Sequence, residues 1–305
     1  MAKRNTKGNL ALIILSIILA VILKYGYNNL NKLEFEEPIK HIETKKYNIV
    51  SSNLTVQFID VGQVDCILIS NKDHNMLIDA GNNADGKKIV NYIKELGINK
   101  FDYVVGTHHH EDHIGGLDNI IDAFDIDNVY LPNAITNTST FESVISSLEK
   151  KNYNVTIPSI GDKFNLGEAE FEILYTGEDE EDLNNSSIVL KMIFGNYSYM
   201  FMGDASSKVE QLLSKEVIDV DVLKVGHHGS KYSSKKDFLS KVTPDYAIIS
   251  VGKDNSYGHP SKETIDNIKK YTDKIYRTDQ LGTIILTSDG TKIEINSIET
   301  DTNGE

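Results

Sequence analysis

The densest chemistry in the chain lies in seven consecutive residues, Thr107-His108-His109-His110-Glu111-Asp112-His113. Imidazole nitrogens and carboxylate oxygens are donors that Zn²⁺ and Mn²⁺ accept. The segment follows an apolar run, Phe101 to Val105, and leads into Ile114-Gly115-Gly116, which places it at the end of a buried strand. Alternate residues of an extended segment point the same way. His108 and His110 can therefore share one ion while Asp112 and His113 turn to a second, and His109 should face elsewhere. A water held by such an ion has its pKa lowered to about 7, so hydrolysis is the reaction to expect, with Asp112 among the catalytic groups. No serine or cysteine nucleophile is needed. The single cysteine, Cys66, sits in an apolar run with Ile67, Leu68 and Ile69 and reads as a buried structural thiol.

The elements that must position this cluster alternate between strand and helix. Strands are predicted at Leu54 to Ile59, Cys66 to Ile69, Asn75 to Ile78, Phe101 to Val105, Asn128 to Leu131, Phe171 to Tyr175, Ser187 to Ile193, Tyr199 to Met202, Val220 to Val225, Tyr246 to Val251 and Gly282 to Leu286. Ser70 to His74 splits a hairpin. Helical spacing covers Ile89 to Leu96, Thr140 to Lys151, Ser207 to Leu213, Ser234 to Leu239 and Ser261 to Lys270. Many strands with interspersed helices argue an α/β fold. The run of five acids from Glu178 to Asp182 reads as a solvated loop.

The histidine segment resembles the signature of the metallo-β-lactamase superfamily. Five further motifs narrow the resemblance: Phe58-Ile59-Asp60-Val61-Gly62-Gln63, Leu77-Ile78-Asp79-Ala80-Gly81, Phe201-Met202-Gly203-Asp204, Leu223-Lys224-Val225-Gly226-His227-His228-Gly229-Ser230 and Tyr257-Gly258-His259-Pro260. Together with Arg277-Thr278-Asp279 they look like the extracellular hydrolase domain of the ComEC family of competence proteins, over about residues 54 to 290. The resemblance implies an αββα sandwich holding one or two Zn²⁺ or Mn²⁺ ions. It implies that Asp204 bridges two metals and that the His227-His228 pair supplies another ligand, with either histidine of the pair eligible. Asp79, after Met76-Leu77-Ile78, and Asp60 are expected behind the ligands, Asp79 by hydrogen-bonding a ligand histidine. His259 is expected to donate a proton or hold substrate, a plain turn histidine being the alternative. Ser230 and Lys231 are expected to touch substrate.

The chain departs from the superfamily at two places. Many members carry a third histidine for the first metal between the main cluster and the bridging aspartate, yet no histidine occurs from Ile114 to Gly226. Asn184-Asn185-Ser186 occupies that region, Asn185 being the expected supporting residue, and oxygen-richer ligation makes Mn²⁺ credible beside Zn²⁺. Val64 stands where relatives have glycine before the aspartate matching Asp65.

The resemblance implies phosphodiester substrates, single-stranded DNA first. The formal charge of −14 opposes a polyanion at long range. Residues 226 to 280 nevertheless hold nine Lys and one Arg against seven Asp or Glu, which allows a basic rim near the site. Another extracellular ester or a lactam-like compound is the rival substrate, and a silent binding module on a stalk is the remaining class.

Ahead of the expected hydrolase domain at 53–297, Lys3, Arg4 and Lys7 precede an apolar stretch from Leu10 to Leu23 broken only by Ser16. That is the layout of an export signal, and no small-residue cleavage site follows, so 1–24 reads as a membrane anchor with a secreted form as the alternative. The positive-inside rule then places a linker at 25–52, the domain and a tail at 298–305 outside the cell.

Overall fold

The computed structural model describes residues 54–179, 181–215 and 218–299. The expected anchor and linker lie outside the described residues. Among those described, no helix is long and apolar enough to cross a membrane.

The strands of the first half are β1 (Leu54–Phe58), β2 (Ile67–Asn71), β3 (His74–Ile78), β4 (Lys100–Val105), β5 (Asp125–Tyr130) and β6 (Val155–Thr156). Then come β7 (Lys163–Leu166), β8 (Ala169–Tyr175), β9 (Val189–Phe194), β10 (Tyr197–Phe201), β11 (Val222–Lys224), β12 (Tyr246–Ile249) and β13 (Ile275–Arg277). The last two are β14 (Thr283–Ser288) and β15 (Ile293–Ile298). They form one sheet in the order β15-β14-β1-β2-β3-β4-β5-β6 and a second in the order β13-β12-β11-β10-β9-β8-β7.

Alternation along the strands builds the layers. Leu54, Val56 and Phe58 of β1, Met76 and Ile78 of β3, and Tyr199 and Phe201 of β10 pack into one core between the sheets. The residues between them point outward. Leu68, Leu77 and Val104 meet helices α1 (Gly86–Glu95), α3 (Leu117–Ala123) and α4 (Ser139–Lys151) on the first sheet's outer face. Met200, Leu223 and Ala247 meet α5 (Ser207–Leu213), α6 (Lys236–Val242) and α7 (Lys262–Ile268) on the second. Both faces of both sheets are therefore buried, each large apolar side chain contributing roughly 1.5–3 kcal/mol, and the result is the αββα sandwich expected from the motifs.

The pairing of β2 with β3 runs further than the residue types suggest. Ser70 pairs with Asn75 and Asn71 with His74, leaving Lys72-Asp73 as the whole turn, with Lys72 at φ +57°. The short strands β6, β7 and β13 were not foreseen, because two to four residues carry too little alternation to announce a strand, and neither was the six-residue edge strand β15. Helix α1 begins earlier than its apolar spacing suggests, at Gly86.

Candidate metal centre

Strands β3, β4 and β5 run parallel, as do β10 to β13, and the chain leaves their carboxyl ends in loops that converge. After β4 the backbone bends through His108–His110 and then turns into a short helix, α2 (Glu111–Ile114), with His110 itself extended. Gly115 and Gly116 make that turn fit: a Cβ on the first would lie 2.3 Å from the Asn83 nitrogen, and on the second 2.3 Å from the Ala80 carbonyl.

Asp79, just past β3 and at φ +59°, organises the cluster from behind. The Thr107 backbone N–H and hydroxyl each donate to its carboxylate at 2.7 Å, and His113 Nδ1 lies 2.7 Å from Oδ2. That bond turns His113 Nε2 toward Asp204 Oδ1, 3.3 Å away. On the same strand end His108 Nε2 and His110 Nδ1 face each other at 3.1 Å, the spacing of two donors that one ion can bridge. Burial, and then the neighbouring His113, hold the His108 imidazole well below its ordinary value, so it is neutral and keeps a lone pair.

The second sheet supplies the opposing half. Asp204 follows β10 and Gly203 (φ +51°), and its N–H donates to Ser187 Oγ at 3.2 Å. His227 and His228 are both left-handed, at φ 50° and 51°, a conformation costing roughly 1–2 kcal/mol per residue that the fold must offset. His228 Nδ1 lies 3.0 Å from the Ser250 carbonyl, which can only accept, so Nδ1 carries the proton and Nε2 presents its lone pair. That Nε2 sits 3.4 Å from Asp112 Oδ2 and 3.6 Å from Asp204 Oδ2. His227 Nε2 is 3.7 Å from the same Asp204 oxygen, but its side chain is 23% exposed against 2% for His228.

Buried polar atoms without partners show what this arrangement lacks. His113 Nε2, His228 Nε2 and Asp204 Oδ1 are all orphaned. Ligand atoms of Asp112, His113, Asp204 and His228 lie within 4.8 Å of one another. Each orphan would cost roughly 1–3 kcal/mol if left so, and a divalent ion satisfies them together. The donor set fits one. When bound, the ion supplies Lewis-acid chemistry and an activated water. The residues' own part is to fix it: Asp79 and the Ser250 carbonyl lock two imidazoles in the ligating tautomer.

Without the ion the cluster holds protons in its place. Burial lowers the His113 pKa, but Asp204, Asp79 and Asp112 outweigh it and raise it well above 6.5. His228 is raised in the same way, chiefly by Asp204. A raised imidazole stabilises the metal-free fold below the unfolded value of about 6.5 and loses that contribution as pH rises through its folded pKa. The ion displaces those protons and binds more tightly as pH rises. The increase in melting temperature on adding metal is therefore expected to grow from pH 7 to pH 9, with proton release visible as buffer-dependent heat. A constant increase would contradict this protonation pattern.

The remaining expected residues fall in different places. His259 lines the same cleft of about 330 Å³ as His110, Asp112, Asp204, His227 and His228. Its Nδ1 is buried without a partner, and burial holds its pKa low. His109 packs its ring on Phe141 at 4.5 Å, and burial pushes its pKa down to about 4. Asp60 accepts from the Gly62 N–H at 3.2 Å and shapes the loop after β1. Ser230 is 1% exposed, its carbonyl takes the Thr264 hydroxyl at 2.8 Å and its hydroxyl accepts from the Tyr232 N–H at 3.3 Å, so it builds the loop that presents Lys231. Lys231 is exposed, with Nζ 5.1 Å from the centre of the Tyr232 ring. Asn185 spends its amide on Asp179, Asp182 and Ser206, and it is Asn184 that lines the cleft.

Three groups went unnoticed in the residue pattern. Lys224, fully buried on β11, donates to Asp65 Oδ2 at 2.7 Å, and Asp65 Oδ1 lies 3.7 Å from His228 Nδ1. A lysine inside Val222-Leu223-Lys224-Val225 is itself a signal of a buried partner. Glu210, also buried, accepts from the backbone N–H groups of Ser234 and Lys235 and pins the loop after the His227-His228 turn. Burial pushes its carboxyl up to about 7. Tyr257 stands at the mouth of the cleft.

Residues 59–253 match the family described as the metallo-beta-lactamase superfamily, and the chain belongs to it. With the donor cluster, that membership makes it a metal-dependent hydrolase that takes one or two divalent ions. It is 30% identical over 259 residues to ComE operon protein 3 of Bacillus subtilis, covering 78% of this chain and 33% of that one. It is 27% identical over 230 residues to Competence protein ComA of Neisseria gonorrhoeae, covering 74% and 31%. The chain thus spans about a third of the length of these relatives. Among solved structures, the metallo-beta-lactamase fold protein YhfI of Bacillus subtilis superposes with a TM-score of 0.51 at 12% identity over 73% of this chain and 95% of that one, a likeness of fold.

Proposed function

We propose that the domain hydrolyses phosphodiester bonds of single-stranded DNA outside the cell, in a competence-like role. The observation that carries this reading is Tyr257. Its ring is 72% exposed at the mouth of the cleft and stacks on His259 at 5.8 Å and 23°, while His259 lies 5.7 Å from His227. A ring face is thus offered to a base one step from the ligand cluster. The loop that presents it is closed on itself: Asn255 donates to the carbonyls of Gly252 and His259 and accepts from the His259 N–H. Lys231 and the 60% exposed Tyr232 add charge and a second ring on the neighbouring loop. Aromatic faces interleaved with cations are how unpaired strands are held without sequence preference. The name of the gonococcal relative supports the same role.

The test is metal-loaded full chain against DNA and RNA strands, duplex DNA, a small phosphodiester and a β-lactam. Strand cleavage should weaken steeply with added salt, because bound phosphates release counterions. Tyr257→Ala should raise the KM for single-stranded DNA about tenfold with kcat little changed, from a stacking loss of roughly 1–3 kcal/mol per base. Opening of the lactam or an ester with no strand cleavage would replace the nuclease reading by the rival one.

A further inference from the structure

The two halves of the centre are unequally supplied. Asp112, His113, Asp204 and His228 bring four side chains to one ion. His108 and His110 bring two imidazoles to the other position, and no further histidine stands between Ile114 and Gly226. Two imidazoles by themselves fall short of the three protein ligands that a catalytic ion takes.

We propose that Asn184 Oδ1 is the missing donor. Three observations converge on it. Its amide oxygen is buried and has no hydrogen-bond partner, which a neutral amide tolerates poorly. Its side chain lines the same cleft as His110, Asp112 and Asp204. The turn that carries it, the 3₁₀ segment Leu183–Ser186, is braced on every side. Asp182 Oδ1 accepts from the Asn184 N–H at 3.2 Å, and Asn185 Nδ2 donates to Asp182 at 2.9 Å and to Asp179 at 3.2 Å. Ser206 Oγ donates to Asn185 Oδ1. The next residues tie the turn to the centre: the Ser187 hydroxyl accepts from the Asp204 N–H, and the Ile188 N–H donates to the Thr107 carbonyl at 2.9 Å. Asp179 and Asp182 of the acidic run thus scaffold this turn, beyond the solvated loop that composition suggests, and leave Asn184 with an unspent oxygen.

A carbonyl-type oxygen is a hard donor, suited to Mn²⁺ and Mg²⁺ more than to Zn²⁺, whereas a third imidazole favours Zn²⁺. Asn184 therefore makes this position selective for the harder ion. This holds whatever the substrate is, and its test needs no turnover.

Calorimetric titration of the metal-stripped full chain with Mn²⁺ and with Zn²⁺ decides it, with Asn184→Ala and Asn184→His alongside. The wild type should take up two ions, one tightly and one weakly. Asn184→Ala should keep the tight ion, which shows that the fold is intact, and bind the weak Mn²⁺ about a hundredfold less well, the top of the range for losing even a supporting residue. Asn184→His should shift the weak position toward Zn²⁺ by at least about tenfold. Wild type binding a single ion, or Asn184→Ala titrating like wild type, overturns the proposal. A rise in KM in Asn184→Ala with unchanged metal binding would assign the amide to substrate and overturn it equally.

Discussion

Asp204→Asn should leave the protein folded but nearly empty of metal, and hydrolysis should fall by about a thousandfold. The carboxylate faces His113 through Oδ1 at 3.3 Å and His228 through Oδ2 at 3.6 Å, so it meets both imidazoles of the well-supplied position with a separate oxygen for each. An amide has one oxygen and no charge, and several kcal/mol of ion binding and charge stabilisation go with the difference. His109→Ala is the comparison on the same motif. Its ring lies on Phe141, outside the donor cluster, so its loss should cost about 1–3 kcal/mol of stability and leave metal content intact. Metal analysis of both purified variants reads the contrast directly. Equal metal loss in the two would show that the ligands are arranged otherwise.

The second large effect is expected at Lys224, and it concerns stability. Lys224 and Asp65 are 0% and 1% exposed and 2.7 Å apart. Removing the ammonium alone, in Lys224→Ala, takes from the buried Asp65 carboxylate its hydrogen-bonded counter-charge, leaving only His228 at 3.7 Å, and should cost about 3–5 kcal/mol. For a domain of this size that is roughly a 10 °C fall in melting temperature of the metal-free protein. Taking both charges away, in Lys224→Met with Asp65→Leu, should restore most of it, because the pair gains little over a well-packed apolar contact once desolvation is counted. The double variant should still bind metal more weakly than wild type, since Asp65 Oδ1 also lies 3.7 Å from His228. A single variant as stable as wild type would show that the Lys224–Asp65 contact does not hold the fold together.

What could be read from residue order depended on whether the chemistry is contiguous. Short apolar runs announced most strands, because the central strands are buried on both faces. His108, His110, Asp112 and His113 stand in one stretch, and one strand end suffices to bring them together. Asp204 and the His227-His228 pair come from the other sheet, and only the resemblance tied them to the cluster. Choosing between His227 and His228 took the Ser250 carbonyl, which sets one tautomer and lies 22 residues away. Asn184 and Asn185 are indistinguishable as letters. A 3₁₀ turn separates them, one amide into the scaffold and one into the cleft. Lys224 is conspicuous in an apolar strand, but Asp65, 159 residues earlier, is found only by folding the chain.

The division of donors between the two sheets has a mechanical consequence. His113 stands on one layer and Asp204 and His228 on the other, so an ion that all three hold is a crosslink between the layers, closing the long loop of chain from His113 to Asp204. In polymer terms it acts as a disulfide does, by removing open conformations from the unfolded ensemble, and a chain whose only cysteine is buried in the core has no such bond of its own. The layers cannot part while the bolt is in place. Where proteases sample every opening of a fold, the ion that serves hydrolysis would also set how long the enzyme itself survives.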